Sequence, residues 1–165
     1  MGTATAGMAR DLDDVDRGIL HALQENAREA TAAEMAEAVG VSASTVRNRI
    51  DRLESAGVIR GYRPEIDYER AGFQLHVFVV CRVAPGDRSS LAAELLELSG
   101  VVRVRELLTG TENLHVEAVA TDSAAVDDLL VDVAGRGIEI VSSDIVNTTH
   151  VQPFDHFGAD AESDG

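Results

Sequence analysis

The sequence predicts an α+β protein in two parts, an N-terminal winged helix-turn-helix followed by a ferredoxin-like βαββαβ domain. Three observations predict it. Apolar residues from Leu12 to Gly61 recur at helical spacing, broken by short Gly-containing turns. From Leu75 to Val151, strand-like and helix-like stretches alternate. A five-arginine cluster lies between Ser42 and Arg63 in a chain whose net charge is −15.

The first helix opens on a cap at Asp13 or Asp14 and turns Val15, Ile19, Leu20 and Leu23 to one side, ending near Ala27. Thr31 and Glu34 form a capping box, so a second helix begins there with Met35, Ala36 and Val39 inward. Gly40 stops it, because glycine adopts the left-handed conformation freely. Ser42 caps a third helix with Val46, Ile50 and Leu53 inward, and Gly57 ends that helix. A capped helix, a short glycine turn and a Ser-capped helix make a helix-turn-helix. Val58 to Asp67 predicts two short β segments around Gly61, a wing or the start of a linker.

In the second half, Leu75–Val83 predicts a strand, and Arg88–Leu98 a helix with Leu91, Leu95 and Leu98 inward. Val101–Leu108 predicts a strand with Val102 and Val104 on one face and Arg103 and Arg105 on the other. After a turn at Thr109–Asn113 come a strand at Leu114–Ala120 and a Ser123-capped helix to about Ala134 carrying Val126, Leu129, Leu130 and Val133. A strand at Ile138–Val151 closes the order. Helices cover one face of such a sheet. The first strand is nevertheless apolar on both faces, with Leu75, Val77, Val79 and Val83 on one and Phe78 and Val80 on the other. The second face is therefore expected to meet another subunit.

The expected organisation is a disordered start over 1–11, the helix-turn-helix with its wing over 12–63, a linker over 64–74, the ferredoxin-like domain over 75–154, and an acidic tail over 155–165. The tail holds Asp155, Asp160, Glu162 and Asp164. With 165 residues the chain has room for one large domain or two small ones. The single cysteine, Cys81, cannot form an intrachain disulfide, which argues for a reducing cytoplasm. No run of 18 apolar residues exists and Met1–Arg10 lacks a signal-peptide core, so neither a membrane span nor secretion is expected.

Acids number 29 and bases 14, and every base is Arg. A Lys-free acidic chain looks like the proteins of salt-loving archaea, in which carboxylates stay hydrated and salt screens their repulsion. A GC-rich genome alone would also favour Arg over Lys. The whole-chain charge argues against a nucleic-acid ligand, but its distribution argues for one. Ser42 to Arg63 holds Arg47, Arg49, Arg52, Arg60 and Arg63 against Asp51 and Glu54, a local balance of +3. Distant charge is screened, so duplex DNA feels the patch. With Val46, Ile50 and Leu53 inward, the outer face presents Ser42, Ser44, Thr45, Arg47, Asn48, Arg49 and Arg52, with Arg60 and Arg63 beyond. Hydroxyl and guanidinium groups bind phosphates, and Arg and Asn also read base edges.

The strings Asp14-x-Asp16-x-x-Ile19-Leu20-x-x-Leu23-x-x-Asn26-x-Arg28, Val39-Gly40-Val41-Ser42 and Val46-x-x-Arg49-Ile50-x-Arg52-Leu53-Glu54-x-x-Gly57-Val58-Ile59-x-Gly61-Tyr62 resemble the Lrp/AsnC, or feast/famine, transcription regulators. The βαββαβ order matches the effector half of the same family, so the resemblance runs from about Leu12 to Phe154. It implies a recognition helix at Ser42–Ala56, double-stranded DNA as partner, homodimers that assemble further, and an amino-acid effector. A two-fold dimer suits half-sites roughly 34 Å apart. The family's Gly-x-x-Asp loop falls at Gly110, Thr111, Glu112 and Asn113, which the resemblance makes the effector site. The chain departs from it where Asn113 replaces Asp, since Asn hydrogen-bonds an ammonium without a full charge. A plain Gly/Asn hairpin is the local alternative.

No enzyme, metal or cofactor is expected. His21, His76, His115, His150 and His156 lack metal-ligand spacing, although the topology could bring His76 near His150 and Cys81 near His115. Cys81 is expected to be a buried, inert thiol. The rival to a DNA-binding regulator is a sensing or protein-interaction module whose helix-turn-helix no longer binds DNA.

Overall fold

The computed structural model describes residues 12–154, so the expectations for 1–11 and 155–165, and for His156, lie outside the described residues. The chain forms two compact units. One comprises residues up to Pro64 together with the segment from His150, and the other comprises Glu65–Thr149. The stretch 150–154, expected with the second domain, thus groups with the first. There the Phe154 amide donates to Gln24 Oε1 at 3.1 Å.

The first unit holds α1 (Asp14–Asn26), α2 (Ala32–Val39) and α3 (Ala43–Ser55). Each starts on the kind of cap its sequence calls for. Asp13 and Asp16 form a reciprocal capping box on α1, Thr31 and Glu34 do so on α2, and the Ser42 hydroxyl accepts the Thr45 amide on α3. Gly40 takes φ +72 between α2 and α3, and the Val41 amide closes the turn on the Ala36 carbonyl. Ile19, Leu20, Met35, Ala36, Val46 and Leu53 form the core, with Ile50, Val58 and Ile59 packed around it. Burying one such aliphatic side chain contributes about 1.5–3 kcal/mol.

The two short β segments expected around Gly61, as a wing or the start of a linker, are not paired as strands. Among the described residues no strand lies between 56 and 74. The amides of Val58 and Ile59 both donate to the Leu53 carbonyl, so they cap α3 rather than pair in a sheet. Tyr62 then ties back to α3 by donating to Glu54 at 2.8 Å.

The second unit runs β1 (Leu75–Arg82), α4 (Arg88–Leu96), β2 (Val101–Glu106), β3 (Leu114–Ala120), α5 (Ser123–Ala134) and β4 (Glu139–Ile145), the predicted ferredoxin-like order. The sheet order is β2-β3-β1-β4, with β1 antiparallel to both its neighbours. Val77, Val79, Cys81, Leu114, Val116 and Ala118 share one core with Ala92 and Leu95 of α4 and Val126, Leu129 and Val133 of α5. The opposite face carries His76, Phe78 and Val80 of β1, which are only half-buried.

Four expectations are corrected. β4 stops at Ile145 rather than Val151, because its partner β1 runs out: Val77 faces Ile145 and the Val146 amide makes the last bond, to the His76 carbonyl. β2 stops at Glu106 and α4 at Leu96, each two residues early. A register shift between Val101 and Arg103 leaves Val102 exposed, so Val101 takes the core place beside Val104.

Candidate nucleic-acid interface and effector turn

The start of α3 gathers three hydroxyls. Ser42 Oγ lies 2.9 Å from Ser44 Oγ and 2.8 Å from Thr45 Oγ1. They sit at the positive end of the helix dipole, where backbone amides and hydroxyls suit an anion. One turn on, Arg47 and Asn48 are exposed, and Arg47 makes no ion pair among the described residues. Arg60 and Arg63 are also exposed, in the extended stretch after α3.

Arg49 and Arg52 are placed differently from the expectation. Both reach back to carboxylates of α1, Arg49 half-buried and Arg52 still exposed. Arg49 Nη1 donates to Asp13 Oδ2 at 2.6 Å and to Asp16 Oδ1 at 3.1 Å. Arg52 Nη2 donates to Asp16 Oδ2 at 2.5 Å. Asp16 is 0 % exposed. The Asp16 amide, and behind it Arg49, holds the Asp13 carboxyl below its ordinary range. The sequence signal for these pairs was present in two acids three apart at the start of α1, but only packing shows which bases answer them.

The turn after β2 is closed by the Leu107 amide donating to the Asn113 carbonyl at 2.9 Å. Gly110 takes φ +92 with open space where a side chain would project. Gly110, Thr111 and Glu112 are exposed, and Leu108 beside them is 88 % exposed. Asn113 does not join them. It is 3 % exposed, and its side chain is spent on the backbone of Val83 at the end of β1. The expectation that Asn113 offers its amide to a ligand is therefore corrected. Behind the turn, Arg88 Nη1 donates to the Leu107 carbonyl, and the Ser89 hydroxyl donates to Glu106 at 2.8 Å. Sequence reading passed over these two residues at the start of α4.

Cys81 faces Leu114 across the sheet, while His115 faces Val80 and meets Phe78 edge-on at 5.2 Å. Burial pushes the Cys81 thiol up to about 11, so it stays protonated at neutral pH. Among the described residues no group of three metal-ligating side chains gathers, and no helix is long and apolar enough to cross a membrane.

The model of the winged helix-turn-helix DNA-binding family matches residues 12–60. The HTH-type transcriptional regulator AldR of Mycolicibacterium smegmatis is 31% identical over 142 residues, spanning 81% of this chain and 82% of that protein. The leucine-responsive regulatory protein of Rhizobium meliloti is 32% identical over 124 residues, 74% of this chain and 79% of its own. The structure of E. coli AsnC superposes with a TM-score of 0.67 at 27% identity, covering 87% of this chain and 97% of that one. A Neisseria meningitidis regulator solved as its L-Met complex gives a TM-score of 0.69 at 28% identity, covering 87% and 94%. Fold and interface thus define a DNA-binding transcriptional regulator of the helix-turn-helix class. Within that class, the chain belongs to the Lrp/AsnC family.

Proposed function

We propose that the chain reads duplex DNA with the first two turns of α3 and reports a small amino acid through its second unit. The observation that carries the first part is the start of α3. Ser42, Ser44 and Thr45 group their hydroxyls at the helix dipole, and Arg47 and Asn48 stand exposed one turn on. Hydroxyls and amides there hold phosphates, Asn48 reaches a base edge, Arg47 reaches a phosphate or a base edge, and Arg60 and Arg63 hold flanking phosphates. The test is a mobility shift on duplexes that the protein itself selects from random sequence. Arg47→Ala weakens binding. If Arg47 reads a base, discrimination at one position falls by roughly 1–3 kcal/mol; if it holds a phosphate, all sequences weaken alike. Unchanged binding by Arg47→Ala overturns the assignment.

The effector reading rests on the exposed turn Gly110–Glu112, whose amides are open to a carboxylate, and on the likeness to a regulator solved with L-Met. Asn113 shapes that turn from behind. Calorimetry against the twenty amino acids tests it, and no heat from any of them leaves a plain hairpin.

Two further readings complete the proposal. A homodimer, assembling further, forms through the sheet face of Phe78 and Val80, the face opposite the core that α4 and α5 share with β1. The chain works in a cytoplasm of high salt, of haloarchaeal type, on the strength of its 29 acids and Lys-free composition.

A further inference from the structure

Two of the three guanidinium groups on α3 are already answered by carboxylates. Asp13 and Asp16 of α1 against Arg49 and Arg52 of α3 make a four-charge group that sums to zero. Its centre is inside the protein, since the Asp16 side chain is 0 % exposed while those of Arg49 and Arg52 are 26 % and 46 % exposed. Asp16 spends both oxygens on it, and Asp13 divides its two oxygens between the Asp16 amide and Arg49. A carboxylate enclosed in this way holds its partners strongly, because losing both would leave a buried charge unpaired. Arg47 has no such partner among the described residues.

We infer that Asp16 is a positioning residue for DNA recognition: it pins Arg49 and Arg52 to α1, so that α3 neutralises phosphate through Arg47 and not through those two. The clamp fixes how α3 sits on α1, and it limits the sequence-independent part of binding. Each guanidinium that meets a phosphate displaces about 0.9 of a counterion. A helix with three free arginines would grip any duplex, whereas one with a single free arginine leans more on its base contacts.

This inference rests on the α3 reading proposed above, and the slope of log K against log salt separates the two. The slope is measured for the whole chain on a fixed duplex, with Arg47→Ala, Arg52→Ala and Asp13→Asn beside wild type. Arg52→Ala leaves the Arg49–Asp16 pair in place, and Asn caps α1 as well as Asp does, so both variants keep their fold. Arg47→Ala reduces the slope by about 0.9 for each helix engaged. Arg52→Ala leaves the slope unchanged, though it lowers the melting temperature. Asp13→Asn, which loosens Arg49, leaves the slope equal or steeper. A purely structural loss shifts affinity without moving the slope in this pattern. If Arg52→Ala reduces the slope as much as Arg47→Ala does, this inference is overturned while the α3 reading stands. If wild type shows no salt-dependent binding, both fall.

Discussion

Asn113 and Val83 hold each other through two hydrogen bonds. The Asn113 amide nitrogen donates to the Val83 carbonyl at 2.9 Å, and the Val83 amide donates to Asn113 Oδ1 at 3.0 Å. The pair joins Val83, just past β1, to Asn113, just before β3, and satisfies both backbone groups of Val83.

Asn113→Asp breaks half of this pair. An aspartate still accepts from Val83 but has nothing to donate to its carbonyl, and it places a charge at a buried site. Leaving a buried group unsatisfied costs about 1–3 kcal/mol, and more where charge is involved. Urea denaturation should give a lower midpoint for Asn113→Asp at neutral pH, with part of the loss recovered near pH 4 as the carboxyl protonates. An unchanged midpoint would mean the pair is dispensable.

Gly18 is a packing glycine rather than a turn glycine. A Cβ there would overlap Cγ1 of Val39, so α1 and α2 approach as closely as they do only because position 18 has no side chain. Alanine raises helix propensity by about 1 kcal/mol, yet overpacking costs about 1–3 kcal/mol. Gly18→Ala should therefore melt at lower temperature. Adding Val39→Ala, which makes room, should restore part of the loss. Restoration is the diagnostic, since additive losses would place the effect elsewhere.

Stability on the acid side should track the helix caps. Asp13 is held below its ordinary 3.8 by the Asp16 amide first, with Arg49 adding to it, and Asp122 is held down by the Ala125 amide and the Thr121 hydroxyl. A carboxyl with a depressed folded value stabilises the protein above its unfolded value. That contribution is lost as pH falls through the folded value. Melting temperature should thus be level from neutral pH to about 5 and fall below about 4. In Asp13→Asn the acid fall should be shallower, because asparagine caps without titrating. A parallel acid profile for the variant would remove Asp13 from the account.

The sheet face opposite α4 and α5 bears on assembly. Phe78 lies half-buried there, edge-on to His115 and facing Glu117 across the strands. Light scattering in high salt should find at least a dimer, and Phe78→Asp should return it to monomer, since an unpaired charge buried in an interface costs several kcal/mol. A wild-type monomer would contradict the dimer reading.

Outside the stretch around Gly61, the order and type of the elements were legible in the string. Apolar spacing, the Thr31–Glu34 capping box, the Ser42 cap and Gly40 are local signals, and local signals specify helices and turns. The cluster of arginines was equally legible, because composition needs no folding. How each side chain is spent depends instead on packing. Arg49 and Arg52 are written like Arg47 in the string, yet they answer carboxylates 33 to 36 residues away on α1. Asn113 stands where a ligand contact was expected, yet it closes on a backbone 30 residues distant. Val102 and Val101 exchanged places through a one-residue register shift. A chain's periodicity encodes which face a residue takes, whereas hydrogen bonds and ion pairs depend on which distant segment packing brings to that face.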